Sequence, residues 1–206
     1  MIILLYVLLF ILMSVTWRSK YHVYTKTLCS CGFLFTGILT CYKHMNLLMI
    51  LLPALIAFVV GDILITQEGK FKYALYAFLI GDIAFLFFYY HFHSFILLEL
   101  IIPIIIMILL EIIVYYKLIN IEEYKTEITS YTFALTWVTT KSILTAMSLN
   151  TLMFKVMAIG FILYFISDSL LLVMKFSTKK NKFLGIFNIL MYYMGLFLIV
   201  YSFSFL

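Results

Sequence analysis

The chain has 206 residues, of which 66% are hydrophobic and 11% charged, whereas a soluble globular domain has about 45–50% apolar and about 25% charged residues. This composition excludes a soluble fold, and the counts of 8 glycines and 2 prolines exclude collagen-like and disordered chains. The formal net charge is +5. The sequence therefore predicts an integral membrane protein.

Eight apolar runs follow one another along the chain, and a membrane-spanning helix needs about 20 such residues. The strands of a membrane barrel alternate apolar and polar residues, and the run from Ile101 to Leu110 shows no alternation. The connecting segments are too short to fold alone. We therefore predict an all-α protein, with residues 1–206 forming one transmembrane domain of eight helices. The predicted spans are Met1–Trp17, Thr27–Tyr42, Met45–Thr66, Tyr73–Phe92, Ser94–Tyr116, Ile128–Leu149, Thr151–Met174 and Phe183–Leu206.

Lysine and arginine are concentrated in the first, third, fifth and seventh loops, and short cytoplasmic loops carry such an excess. Both termini are therefore predicted to face away from the cytoplasm. The positive charge then reflects topology and attraction to anionic lipids, so we expect membrane lipids as partners and no nucleic acid. The basic loop residues are Arg18, Lys20, Lys26, Lys70, Lys72, Lys117, Lys125, Lys175, Lys179, Lys180 and Lys182.

Acidic residues inside the predicted helices are costly in a membrane and usually mark a site. At a rise of 1.5 Å per residue, Asp62, Asp168 and Glu111 share a layer about 6 to 10 Å below the basic loops. Asp82 lies deeper, at about 15 Å. Depth also makes Asp82 the predicted partner of Lys141, which lies mid-helix in the sixth span. The sequence thus predicts an acidic pocket open to the cytoplasmic leaflet, and structural pairing with lysines or tyrosine hydroxyls is the alternative.

The predicted seventh helix carries polar and small residues at steps of three and four. Gly160, Tyr164, Ser167 and Asp168 therefore lie along one face of this helix. A polar face on an otherwise apolar helix indicates a side turned towards the pocket rather than towards lipid.

A metal site needs several ligands at fixed spacings. Cys29, Cys31 and Cys41 lie in or beside one apolar helix, where small packing residues are the expected role. His91 and His93 lie together in a short loop without a third ligand nearby in the sequence. We expect no metal and no cofactor.

The segment Gly160 to Phe176, GFILYFISDSLLLVMKF, resembles the Ser-Asp-Ser segment and following Lys-Phe pair of the YhhN-like lysoplasmalogenase family of small eight-helix membrane proteins. VVGDILI, with Gly61 and Asp62, looks like the Gly-Asp at the end of the family's third helix. Lys26 looks like the lysine that begins the family's second helix, although Thr27 replaces the family's proline. Further positions that suit the family are Tyr131, Tyr192 and Tyr193.

Three further positions depart from the family's pattern. The family's fourth helix usually carries F-x-x-x-H-x-x-Y, and this chain has Phe78, Asp82 and Phe85, so aspartate replaces histidine and phenylalanine replaces tyrosine. The glutamine expected in the last helix is Leu196. The resemblance therefore leaves the substrate range open.

The resemblance implies hydrolysis of the vinyl ether bond of a lysoplasmalogen, a lysophospholipid, to a fatty aldehyde and a glycerophospho-alcohol. Two carboxylates suffice for this reaction, one as acid and one as base, as in glycosidases. We predict Asp62 and Asp168 as this pair, without assigning the two roles. Lys26 would hold the lipid phosphate, Glu111 would assist, and Asp82 would replace the histidine's contact. Further predicted substrate-binding residues are Tyr131, Tyr164 and Ser167.

Two other functions stay open on the sequence alone. Membrane acids also occur in ion-coupled transporters, which are built from repeats and broken helices. Gly61-Asp62 and Gly81-Asp82 form a poor repeat, because the two helices run antiparallel and the second pair lies deeper. The departures at Asp82 and Leu196 motivate the third function, a lipid-binding protein without catalytic activity. The sequence carries no signal for the oligomeric state.

Overall fold

The computed structural model describes residues 2–16, 21–116, 119–176 and 182–206. These residues form eight α-helices and two short 3₁₀-helices and contain no strand, which confirms the predicted all-α class. The α-helices are α1 (Ile2–Val15), α2 (His22–Cys41), α3 (Met45–Ile65), α4 (Phe71–Tyr90), α5 (Leu98–Tyr115), α6 (Lys125–Leu149), α7 (Leu152–Phe176) and α8 (Lys182–Tyr201). The 3₁₀-helices are η1 (Glu122–Tyr124) and η2 (Ser202–Phe205).

Helix α2 begins earlier than the hydrophobic pattern predicts. Its first residue is His22, whereas the apolar run begins at Thr27. The intervening residues include no glycine or proline, so nothing in them stops the helix. Lys26 therefore lies within α2, where a rigid element holds it, and not in the preceding loop.

Helix α5 begins later than predicted, at Leu98 instead of Ser94. The carboxylate of Glu99 accepts a hydrogen bond from the backbone N–H of Ile96 at 3.2 Å. An acidic side chain in this position satisfies a free N–H and is favoured by the helix dipole. Residues 94–96 therefore extend the loop, and Glu99 fixes the start of the helix.

Five helical segments within the described ranges are long and apolar enough to cross a membrane, which is consistent with a multi-pass membrane protein. They are Met45–Ile65, Phe71–Tyr90, Leu98–Tyr115, Leu152–Phe176 and Leu184–Phe205. A shorter apolar helix covers Tyr6–Val15. Several basic residues behind the predicted orientation lie outside the described residues, namely Arg18, Lys20, Lys117, Lys179 and Lys180, as does the side chain of Lys182.

Aromatic rings fill the centre of the bundle, where α3, α4 and α7 meet. The Phe58 ring lies 5.6 Å from Phe85 and 5.4 Å from Tyr164, centroid to centroid. Phe85 in turn lies 5.1 Å from Phe161 in an edge-to-face arrangement. Such contacts stabilise a bundle in lipid by close packing, because the hydrophobic effect does not drive helices together there.

Helices α7 and α8 approach each other closely through one pair of glycines. A Cβ added to Gly160 would lie 2.8 Å from the carbonyl oxygen of Gly195, and one added to Gly195 would lie 2.7 Å from that of Gly160. Neither position has room for a larger side chain, because the obstacle is backbone. This contact sets the distance between α7 and α8. Polar residues of the same two helices, Ser167 and Asn188, contact each other nearer the other end of the pair.

Helix α5 lies at the edge of the bundle. It packs mainly against α6, and the buried residues on it are Glu99, Pro103 and Leu110. Its other apolar side chains are largely exposed, as a lipid-facing helix requires. Its attachment to the bundle therefore depends on few residues.

Candidate functional site

A cavity of about 400 Å³ lies between α2, α3, α7 and α8. It brings together Lys26, Asp62, Ser167 and Asp168, four of the residues that the sequence predicts for the site. They come from three different helices, so the fold assembles them. The full lining is His22, Val23, Lys26, Asp62, Ile65, Thr66, Phe78, Ser167, Asp168, Leu171, Asn188, Ile189, Tyr192 and Tyr193.

Asp62 is almost fully buried and is held by a cation and a hydroxyl. Lys26 Nζ lies 3.2 Å from Asp62 Oδ1, and the Ser30 hydroxyl donates to Asp62 Oδ2 at 2.7 Å. An adjacent positive charge and a hydrogen-bond donor both favour the ionised form of a carboxyl group. Asp62 is therefore held between an ammonium group and a hydroxyl donor.

Tyrosine hydroxyls extend the contacts around Asp62 to other helices. The Tyr193 hydroxyl lies 3.0 Å from Ser30 Oγ and donates to the backbone carbonyl of Lys26 at 3.3 Å. The Tyr6 hydroxyl donates to the backbone carbonyl of Tyr193 at 3.2 Å. These bonds join α1, α2 and α8 behind the carboxylate and hold it against the cavity.

Asp168 has a different set of neighbours. Its Oδ2 accepts a hydrogen bond from the Tyr131 hydroxyl, which lies 2.7 Å from the hydroxyl of Tyr164. Within the described ranges, no lysine, arginine or histidine lies at ion-pair distance from Asp168. Two predicted substrate-binding tyrosines thus contact the acid or each other instead of facing the cavity described above. The two aspartates share one cavity but have unlike surroundings.

Asn188 is a cavity residue that the sequence reasoning missed. The Ser167 hydroxyl lies 2.8 Å from Asn188 Oδ1 and 3.1 Å from its backbone carbonyl. The contact with Oδ1 ties the Asn188 amide to α7, and Asn188 also lines the cavity. An asparagine within an apolar helix is itself a signal of a polar site, and it lies one helical turn before Tyr192.

Over residues 7–203 the chain matches the model of the YhhN family. The chain belongs to the YhhN family. This confirms the family resemblance predicted from the sequence. No curated protein and no solved structure shows detectable similarity to the chain. The match covers every helix that lines the cavity, so the site lies entirely within the part of the chain that defines this YhhN protein.

Glu111 and Asp82 do not line the cavity of this YhhN protein. Glu111 is half-exposed and forms an ion pair with Lys125 at 2.9 Å. Asp82 is completely buried, and neither carboxyl oxygen has a hydrogen-bond partner among the described residues. The shared layer predicted from depth therefore holds for Asp62 and Asp168 at the cavity, while Glu111 points elsewhere.

The predicted pairing of Lys141 with Asp82 is wrong. Lys141 Nζ lies 2.5 Å from Glu99 Oε1, 2.7 Å from the backbone carbonyl of Ser94 and 3.2 Å from His93 Nδ1. The loop between α4 and α5 brings the Ser94 carbonyl and the His93 ring to the lysine, while Glu99 lies in the first turn of α5. Counting depth along each helix did not reveal which acidic residue faces the lysine.

The described residues contain no group of three or more histidine, cysteine or acidic side chains that could hold a metal ion. Cys29 and Cys41 are buried free thiols, while Cys31 is exposed on the same helix. His93 contacts Lys141, as above. The polar side chains that line the cavity therefore carry carboxyl, hydroxyl, amide, ammonium and imidazole groups.

Proposed function

We propose that this protein is a membrane hydrolase that cleaves the vinyl ether bond of lysoplasmalogens. The observation that carries the proposal is that Asp62 and Asp168, from two helices, line one cavity with unlike partners. Membership of the YhhN family and the resemblance of the Gly-Asp and Ser-Asp-Ser segments to lysoplasmalogenases support it. We further propose one domain over residues 1–206 that crosses the membrane eight times, with both termini outside the cytoplasm.

The unlike partners suggest the two roles. Asp62, beside Lys26 and Ser30, is the carboxylate that stabilises positive charge and activates water. Asp168 has hydroxyl neighbours and no cation at ion-pair distance within the described ranges, so it is the group suited to carry a proton. Lys26 then keeps Asp62 charged and, at the cavity, would also contact the lipid phosphate.

The reaction follows from these roles. Asp168 gives its proton to the vinyl carbon, and the resulting oxocarbenium ion is stabilised by the Asp62 carboxylate. Water adds to the cation while Asp62 takes one of its protons, which yields a hemiacetal. Asp62 then returns this proton to the departing glycerol oxygen, and Asp168 removes the hemiacetal hydroxyl proton. The products are an aldehyde and an alcohol, and both aspartates regain their starting states.

Aldehyde release from choline and ethanolamine lysoplasmalogens by the purified protein in phosphatidylcholine nanodiscs tests the proposal. General acid–base catalysis contributes about 10²- to 10⁴-fold, so Asp62→Asn and Asp168→Asn should each lower the rate by at least that lower bound. Glu127→Gln is the matched control, because Glu127 is a buried carboxylate paired with Lys72 away from the cavity. Wild-type protein without activity on either lipid, or aspartate variants with full activity, would contradict the proposal. In the first case, substrate-dependent ion flux would favour a transporter.

We also propose that the cavity opens towards the cytoplasmic leaflet. The support is the excess of basic residues in the odd-numbered loops and the position of Lys26 near the start of α2, on that side of the bundle. Cysteines introduced next to these loops should react with a membrane-impermeant maleimide in inside-out vesicles and not in right-side-out vesicles.

A further inference from the structure

Asp168 lies at the junction of two cavities. One is the polar cavity already described, and the other is a narrow crevice of about 50 Å³ between α4, α6 and α7. The two share four lining residues, among them Phe78 and Asp168. One carboxyl group therefore borders both a polar space and an apolar one.

The crevice is lined almost entirely by hydrocarbon. Its apolar walls include Phe71, Leu75, Ile128, Leu135, Phe165 and Leu172. The polar groups among the lining residues are Tyr131, Thr132, Asp168 and Ser169, and the Tyr131 hydroxyl is already bonded to Asp168. Such a space favours an alkyl chain and disfavours water or a charged headgroup.

The crevice leads towards the lipid-facing surface between α6 and α7. Ser169 is exposed, and Thr132 and Phe165 are half-buried. A chain that enters here can leave between the two helices and continue into the bilayer. The small volume then suffices, because only the first carbons need to lie inside the protein.

We propose that this crevice binds the first carbons of the alkenyl chain of the substrate. This inference rests on the proposed function, since the vinyl ether is the point at which the glycerol part joins the hydrocarbon part. With the glycerol in the polar cavity and the chain in the crevice, the reacting carbon lies at the carboxyl group that borders both. The two cavities thus favour a substrate with one polar and one apolar part. They also place its vinyl ether next to Asp168.

Enlarging the crevice tests the proposal through a gain of activity. Leu135 is buried on α6 and lines the crevice. We compare a straight-chain lysoplasmalogen with one that carries a methyl branch two carbons beyond the vinyl ether. One methylene in an apolar pocket changes the ratio of kcat/KM between two substrates by about 10-fold or more. Because Leu135→Ala makes room for the methyl branch, it should raise the ratio of kcat/KM for the branched over the straight substrate by about that factor.

Leu51→Ala is the matched control, because Leu51 is equally buried in α3 but lines neither cavity. Its substrate ratio should equal that of the wild type, while its loss of thermal stability should resemble that of Leu135→Ala. An unchanged ratio in Leu135→Ala, with a wild type that cleaves the straight substrate, would overturn the inference. Absence of cleavage by the wild type would instead count against the proposed function.

A second measurement needs no turnover. A saturated ether lysolipid with a diazirine at the third chain carbon is photolysed with the wild-type protein in nanodiscs. We expect crosslinks to crevice residues of α6 and α7, mapped by peptide mass spectrometry, and their loss in Leu135→Trp. Crosslinks confined to lipid-facing residues of other helices, such as α5, would overturn the inference whatever the activity.

Discussion

Removal of one partner from the buried pair Lys141–Glu99 should strongly destabilise the protein. Both side chains are completely buried, and the lysine uses its three N–H donors on Glu99, Ser94 and His93. The ammonium group also lies 4.2 Å from the centroid of the Tyr90 ring. Lys141→Met leaves the Glu99 carboxylate without its cation, and the loop between α4 and α5 loses its attachment to α6.

The expected size of the effect follows from this burial. Breaking a buried ion pair by removing one partner costs about 3–5 kcal/mol. For chains of about 150–250 residues, each kcal/mol shifts Tm by about 2–4 °C, so Lys141→Met should melt roughly 6–20 °C below the wild type. Glu99→Gln should have a smaller effect of the same sign, because the amide still accepts from the lysine.

The double variant Lys141→Met/Glu99→Leu separates the cost of an unpaired buried charge from the cost of altered side-chain packing. Replacing both members of a buried pair with apolar groups is often neutral, so the double variant should melt closer to the wild type than Lys141→Met does. Thermal unfolding in detergent, followed by reaction of the three free cysteines with a fluorogenic maleimide, measures all three variants. If the Tm of Lys141→Met lies within about 2 °C of the wild-type Tm, the described burial of the pair is refuted.

Three further variants test other features. Asn188→Ala removes an amide that lines the cavity and should lower kcat/KM for aldehyde release by about ten-fold, the value of one hydrogen bond; an unchanged value would exclude contact with substrate. Gly160→Ala places a Cβ 2.8 Å from the Gly195 carbonyl and should lower both Tm and activity, because α7 must move away from α8. Asp82→Val replaces an acid without hydrogen-bond partners in the described ranges and should melt no lower than the wild type; a lower Tm would reveal a partner.

The sequence alone was enough to predict the features that depend on a single helix. Eight helices, the all-α class and the family follow from apolar runs and short motifs. Asp62 and Asp168 were singled out because charge at membrane depth is rare, and Lys26 because it resembles a lysine of the family. These three residues do line one cavity.

The features that depend on rotation about the helix axes were not predictable. Depth placed Glu111 beside the aspartates, but the packing of α5 on α6 turns it to Lys125. The ion pair of Lys141 with Glu99 depends on how α5 and α6 face each other, and its other contacts come from the loop before α5, which has no periodic signal. Asn188 enters the cavity because the glycine contact of α7 with α8 fixes how the two helices face each other. The rotation of each helix about its axis is set by packing against its neighbours, and a single sequence does not reveal that packing.

Two of the lysine–carboxylate pairs in the described residues join helices that are consecutive in the chain. Lys26 and Asp62 lie on α2 and α3, while Glu99 and Lys141 lie on α5 and α6. In the eight-span topology proposed above, each of these helical hairpins would enter the bilayer with its opposite charges already cancelled. Under that proposal the translocon would insert α2–α3 and α5–α6 as units, and a nascent chain that ends after α2 or after α5 would hold an unpaired charge that delays its release into lipid.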